Sequence, residues 1–172
     1  MDYTYYGHPI IFSLGKNQPI RYSLGEIVFR PNTGEILSAD TSIRAKFCSA
    51  SSKWECVKTD KFFFAVKKNW SVLPPTWRYK NTTFNVVGVE TLFILGQAFT
   101  TQVICSRNPS VTLGAELNCF NYTPERGLLA IHVSPEVPDG SGFLSEPATG
   151  EEITYISSSG YGFGANPPDR KN

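Results

Sequence analysis

The chain has 172 residues, of which 41% are hydrophobic, 13% aromatic and 18% charged, and its formal net charge is +1. That composition supplies one well-buried core and argues against a disordered chain or one held to nucleic acid by bulk charge. The charge is nevertheless uneven: residues 41–80 carry nine bases against Glu55 and Asp60, and residues 111–172 carry eight acids against three bases. Such asymmetry either steers a charged partner to one face or lets the two segments neutralise each other.

Taken in order, the N-terminal part reads as short strands between turns. Ile20, Tyr22 and Leu24 alternate with polar neighbours, Gly25 permits a bulge, and Ile27-Val28-Phe29 continues the run. Pro31-Asn32-Thr33-Gly34 has turn chemistry, which predicts a hairpin over residues 20–38. Residues 44–49 and 54–59 flank a polar tip and form a second predicted hairpin with Cys48 opposite Cys56. Phe62-Phe63-Phe64-Ala65-Val66 is apolar throughout, the pattern of a strand buried on both faces. Residues 70–81, with Pro74-Pro75 in the middle, read as an irregular loop.

Three apolar runs then organise the chain, at residues 84–95, 99–105 and 117–133. The last is interrupted by Thr123-Pro124-Glu125-Arg126-Gly127, where proline presets one φ and glycine permits a positive one, as in a bulged hairpin loop. Prolines and glycines crowd residues 135–150, a predicted long loop. Residues 153–157 alternate as a final strand, and Gly160-Tyr161-Gly162-Phe163-Gly164 follows. That glycine run precedes no helix, so it is expected to pack rings on a sheet and not to cradle phosphate.

No window shows helical periodicity. The expectation is therefore an all-β fold: an antiparallel sandwich or strongly curved sheet or barrel of roughly eight to eleven strands with minor helix. A single β-rich domain is expected over residues 1–165, followed by a loose polar tail at 166–172.

The cysteines Cys48, Cys56, Cys105 and Cys119 form no C-x-x-C pair, and the two histidines leave little for a zinc site. Two local disulfides, 48–56 and 105–119, are expected, which implies an oxidising periplasmic or extracellular setting. No signal segment is evident at the N-terminus, so an exported chain is expected to be the mature form. No apolar run is long enough to span a membrane as a helix.

Catalytic constellations are scarce. His8 and His132 are the only histidines, and alternation points His132 toward solvent; no cofactor or metal is expected. Glu90 interrupts an apolar run and is the best candidate for a carboxylate-based hydrolase. The alternative is an edge strand or a bulge at Gly88 that turns Glu90 outward to pair with a lysine. The sequence favours a non-catalytic exported protein of inhibitor or immunity type that binds another protein, one with an acidic face, through loops on a disulfide-stapled scaffold. Trp70, Trp77, Arg78, Lys67 and Lys68 are the candidate contact residues, since Trp and Arg dominate binding hot spots. Carbohydrate binding through Trp70, Trp77, Tyr79, Tyr155 and Tyr161 is the alternative; nucleic acid is not expected.

Overall fold

The computed structural model describes residues 1–11, 25–38, 41–59, 62–107, 117–133 and 151–165. The predicted strand at residues 20–24, the loop at 135–150 and the tail at 166–172 lie outside them.

Thirteen strands are present among the described residues, and no helix. The first four are β1 (Tyr3–Ile11), β2 (Glu26–Arg30), β3 (Glu35–Ser38) and β4 (Thr41–Arg44). Then come β5 (Lys46–Phe47), β6 (Trp54–Lys58), β7 (Phe63–Lys67) and β8 (Thr76–Tyr79). The long strands β9 (Thr82–Ile94) and β10 (Gln97–Arg107) are followed by β11 (Leu117–Thr123), β12 (Gly127–Val133) and β13 (Glu151–Ser157). The count exceeds the sequence expectation because β8 lies in the segment read as a loop and the stretch before Cys48 is divided into two short strands, β4 and β5.

Ten strands form one antiparallel sheet in the order β4-β3-β2-β1-β13-β12-β11-β10-β9-β8, and β5-β6-β7 form a second, small sheet. The large sheet consists of two meanders, β1 to β4 and β8 to β13, fused where β1 pairs with β13. It remains open, with β4 and β8 at its edges. Between the meanders the chain leaves the large sheet, builds the small one, and returns.

Turn chemistry sets the hairpins. Gly34 has φ +72° where the β2–β3 turn closes, and Gly127 has φ +74° at the start of β12. The β9–β10 turn places both Leu95 and Gly96 at positive φ, the twist that matches a two-residue hairpin. Two register shifts bend the sheet, one opposite Val103 and Ile104 and one at Asn121 and Tyr122.

The core lies between the two sheets. Residues 62–66 are buried throughout, as their unbroken apolar run predicts. Phe64 packs on Phe120 and Tyr122 with ring centroids 5.0 and 5.7 Å apart, and Phe29 packs on Tyr5 at 4.9 Å. Each fully buried ring of this size contributes about 1.5–3 kcal/mol of transfer free energy. The glycine–aromatic segment behaves as expected. Phe163 is buried and bridges to Leu128, and a Cβ on Gly162 would fall on the Leu128 carbonyl. A smaller cluster of Leu92, Ile94, Leu129 and Ala130, flanked by Phe99 and Ile156, covers part of the opposite face.

No helix among the described residues is long and apolar enough to cross a membrane.

Candidate functional site: a stapled basic and aromatic face

Both expected disulfides are formed, Cys48–Cys56 and Cys105–Cys119. The second joins directly opposed residues of β10 and β11. The first closes the hairpin tip between β5 and β6, where the Cys48 amide also donates to the Cys56 carbonyl at 3.0 Å.

The register of β6 and β7 pairs Trp54 with Lys67, Cys56 with Ala65, and Lys58 with Phe63. Directly opposed residues share a face, so the small sheet presents aromatic and basic side chains together. Residues 68–80 pack against these groups. Trp77 donates its indole N–H to the Ala65 carbonyl at 2.8 Å and stacks on Phe84, leaving 7% of its surface exposed. The segment predicted as a free loop thus contains β8, pinned by a buried tryptophan. Trp77 supports the surface from beneath and is not itself exposed for the contact role expected of it.

Trp70, half-buried, sits edge-on to both Trp54 and Trp77. The Lys67 ammonium lies 5.5 Å from the ring centres of both Trp54 and Trp70, a double cation–π contact. Lys68 points to the other side, donating to the Ala50 carbonyl at 2.8 Å and lying 3.5 Å from the Glu55 carboxylate. Arg78 is exposed, its Nε held by the Lys80 carbonyl at 3.1 Å. The structure therefore brings Lys67 and Trp70 together in one cluster, while Arg78, between the inward-facing Trp77 and Tyr79 of β8, lies on that strand's other, exposed face, and Lys68 is engaged by Ala50 and Glu55. The rings cross at 74° and 75°, and Tyr79 tilts 41° against Trp54, so the cluster offers no coplanar strip for a sugar ring. Tyr161 is likewise engaged, with the Arg126 guanidinium 4.3 Å from its ring centre.

Beside this cluster lies a recess of about 280 Å³ that the sequence did not reveal. The Cys48–Cys56 disulfide and Tyr79 line it, and the Tyr79 hydroxyl donates to Cys48 Sγ at 3.4 Å. Lys46, Lys58 and Lys80 also line it, and no acidic residue among the described residues does. Lys46 and Lys58 are direct cross-strand partners, an arrangement that destabilises a bare sheet. Lys58 and Lys80 lie over the Phe63 and Tyr79 rings at 5.8 and 5.5 Å. The signal available in sequence was the unusual density of lysines, but it takes the β5–β6 register to oppose Lys46 and Lys58 and the packing of the β8–β9 turn to add Lys80.

On the far face of the large sheet, a polar ladder crosses five neighbouring strands. Asn121, 0% exposed, donates both amide hydrogens, to Glu90 Oε2 at 2.9 Å and to Thr101 Oγ1 at 2.8 Å. Its Oδ1 therefore accepts, and His132 Nε2 donates to it at 2.6 Å. That fixes the other ring nitrogen of a neutral His132 as acceptor for the Thr154 hydroxyl at 3.0 Å. His132 is thus half-buried and bridged, not solvated as alternation suggested, because this face of the central strands carries its own packed cluster. Glu90 is turned outward past an extra residue at Val87, as the bulge alternative required, but its partner is the Asn121 amide and not a lysine. Each member meets a neighbour on the next strand, which makes the ladder a stitch across strands. Among the described residues, no group of three or more His, Cys, Asp or Glu is placed to hold a metal ion.

No family model matches the chain, and no curated protein or solved structure gives a match.

Proposed function

We propose that this protein is a non-catalytic exported protein, periplasmic or secreted, that binds the acidic face of another protein in the manner of an inhibitor or immunity protein. The observation that carries this reading is the recess in which Lys46, Lys58 and Lys80 converge with no acid among the described residues that line it. Two lysines fixed opposite each other repel, and a carboxylate-bearing partner would turn that cost into binding energy. The Cys48–Cys56 staple and the buried Trp77 support the reading further, since a preformed surface loses little freedom on binding. Trp70 and Lys67, beside the recess-bearing sheet, are the contact residues, with Trp70 as the apolar anchor and the exposed Arg78 adding charge from the other face of β8. Two disulfides suit an oxidising compartment.

The test is capture from the exported fraction of the native host, with the wild-type chain and a Lys46→Glu/Lys58→Glu variant as micromolar baits. A protein held by the wild type, released by salt and lost with the variant is the expected result. Recovery of no protein by the wild type, or equal recovery by the variant, overturns the reading.

A further inference from the structure

We infer that the free edge of β9, from Val87 to Ile94 together with Leu95 of the adjoining turn, is a self-complementary surface through which two copies of this chain pair antiparallel. β10 occupies one edge of β9 along nearly its whole length. On the other edge, β8 reaches only from Thr82 to Asn85, and the last bond there runs from the Val86 amide to the Pro75 carbonyl. Beyond that point no described strand pairs with β9, and Val87 through Thr91 are all exposed. This edge carries no lysine or proline, and its two devices against strand addition, the charge of Glu90 and the bulge at Val87, leave the backbone from Gly88 to Ile94 in regular strand.

The bulge decides what this edge shows. The extra residue at Val87 reverses the alternation set by Phe84 and Val86 in the core. From there Leu92 and Ile94 turn to the far-face cluster and anchor the hairpin, at 9% and 5% exposure. The other set is left uncovered: Val87 at 61%, Val89 at 67%, Phe93 at 74% and Leu95 at 80%. A recess of about 250 Å³ lined by Val72, Val89 and Tyr122 borders this strip, and Val72 is itself 76% exposed.

The four exposed apolar residues of β9 and its turn are placed symmetrically about Thr91, which argues for a second copy over any other occupant. A two-fold axis normal to the sheet keeps like faces together and requires opposed residues to lie equally far from the axis. With the axis at Thr91, Val89 meets the partner's Phe93, Val87 meets the partner's Leu95, and the two threonines meet each other. β-Branched and aromatic pairs and Thr–Thr pairs are favourable cross-strand neighbours. On the far face, Glu90 meets the partner's Leu92, and Gly88, with open space where a Cβ would be, meets the partner's Ile94. Moving the axis to Glu90 would set two carboxylates against each other. The Thr91 register is the one the sequence favours.

The test joins sedimentation with crosslinking. Wild type is expected to sediment at twice its 19.1 kDa mass at high micromolar concentration. Val89→Lys/Phe93→Lys, which changes only exposed side chains, is expected to sediment as a monomer with an unchanged melting temperature. Since the native cysteines are all paired, a Thr91→Cys variant carries one free thiol. Opposed Cα atoms at about 4.5–5.5 Å fit a disulfide, so mild oxidation should link two chains, while Val87→Cys should link them far less. A monomeric wild type, a lysine variant that stays dimeric, or faster crosslinking of Val87→Cys than of Thr91→Cys overturns the proposal. So does a wild type that remains monomeric and holds a foreign strand at this edge.

Discussion

The Tyr5 hydroxyl on β1 donates to the Leu128 carbonyl on β12 at 3.0 Å, across 123 residues of sequence. The same oxygen accepts the Phe163 amide at 2.9 Å, and Tyr5 is fully buried. One side chain thus ties the first strand to the aromatic segment that follows the last. Tyr5→Phe keeps the ring and removes both bonds, leaving a buried amide without its acceptor. The expected loss is about 1–3 kcal/mol, read from urea denaturation. A variant as stable as wild type would show that the ring alone holds this junction.

Burial also makes the fold sensitive to alkali. It pushes the Tyr5 hydroxyl up, against an opposing hydrogen bond from Phe163, and pushes Tyr122 up to about 12, with Glu55 adding a smaller push. The unfolded chain releases these protons near pH 10 whereas the folded chain holds them, so the unfolded state binds fewer protons in that interval. Stability should be level below about pH 10 and fall as pH rises toward about 12. Urea midpoints measured against pH check this, and Tyr122→Phe should flatten the decline. A midpoint that rises through that interval would reverse the sign of the linkage.

The parts of this architecture written in local patterns were legible beforehand. The Pro31–Gly34 and Thr123–Gly127 turns, the buried run at residues 62–66 and both cysteine pairings follow from residue type and spacing within a few positions. Register did not follow. The cross-strand meeting of Lys46 with Lys58, the reversal of alternation at Val87 and the ladder from Glu90 to Thr154 arise where separate strands align. Trp77 illustrates the same limit: a tryptophan beside two prolines looks like a loop anchor, and only the position of Ala65 turns it inward.

The two disulfides close loops of similar size, with sequence separations of 8 and 14. Chain-entropy reasoning assigns them about 2.5 and 3 kcal/mol, so neither should dominate. Ellman's reagent should find no thiol in native protein and four after reduction in denaturant. Cys105→Ser/Cys119→Ser should lower stability slightly more than Cys48→Ser/Cys56→Ser. The latter should also loosen the lysine recess, because that disulfide lines it. Free thiols in the native protein would remove the physical basis for an oxidising compartment.

The ladder on the far face gives a sharper test of what Glu90 does. Asn121 is fully buried and each of its polar atoms has a partner, so removing His132 strands an amide oxygen in the interior. His132→Ala should cost about 1–3 kcal/mol. Combined with Asn121→Ala it should cost less than the two losses added, since the second change removes the stranded group. Glu90→Gln retains an oxygen that can accept from Asn121 at an exposed position, so stability should stay within about 0.5 kcal/mol of wild type. A structural stitch predicts this graded pattern, with damage set by burial and not by charge. Were Glu90→Gln instead as damaging as His132→Ala, the carboxylate's charge would be central to the ladder, and the case for Glu90 as a working acid would reopen.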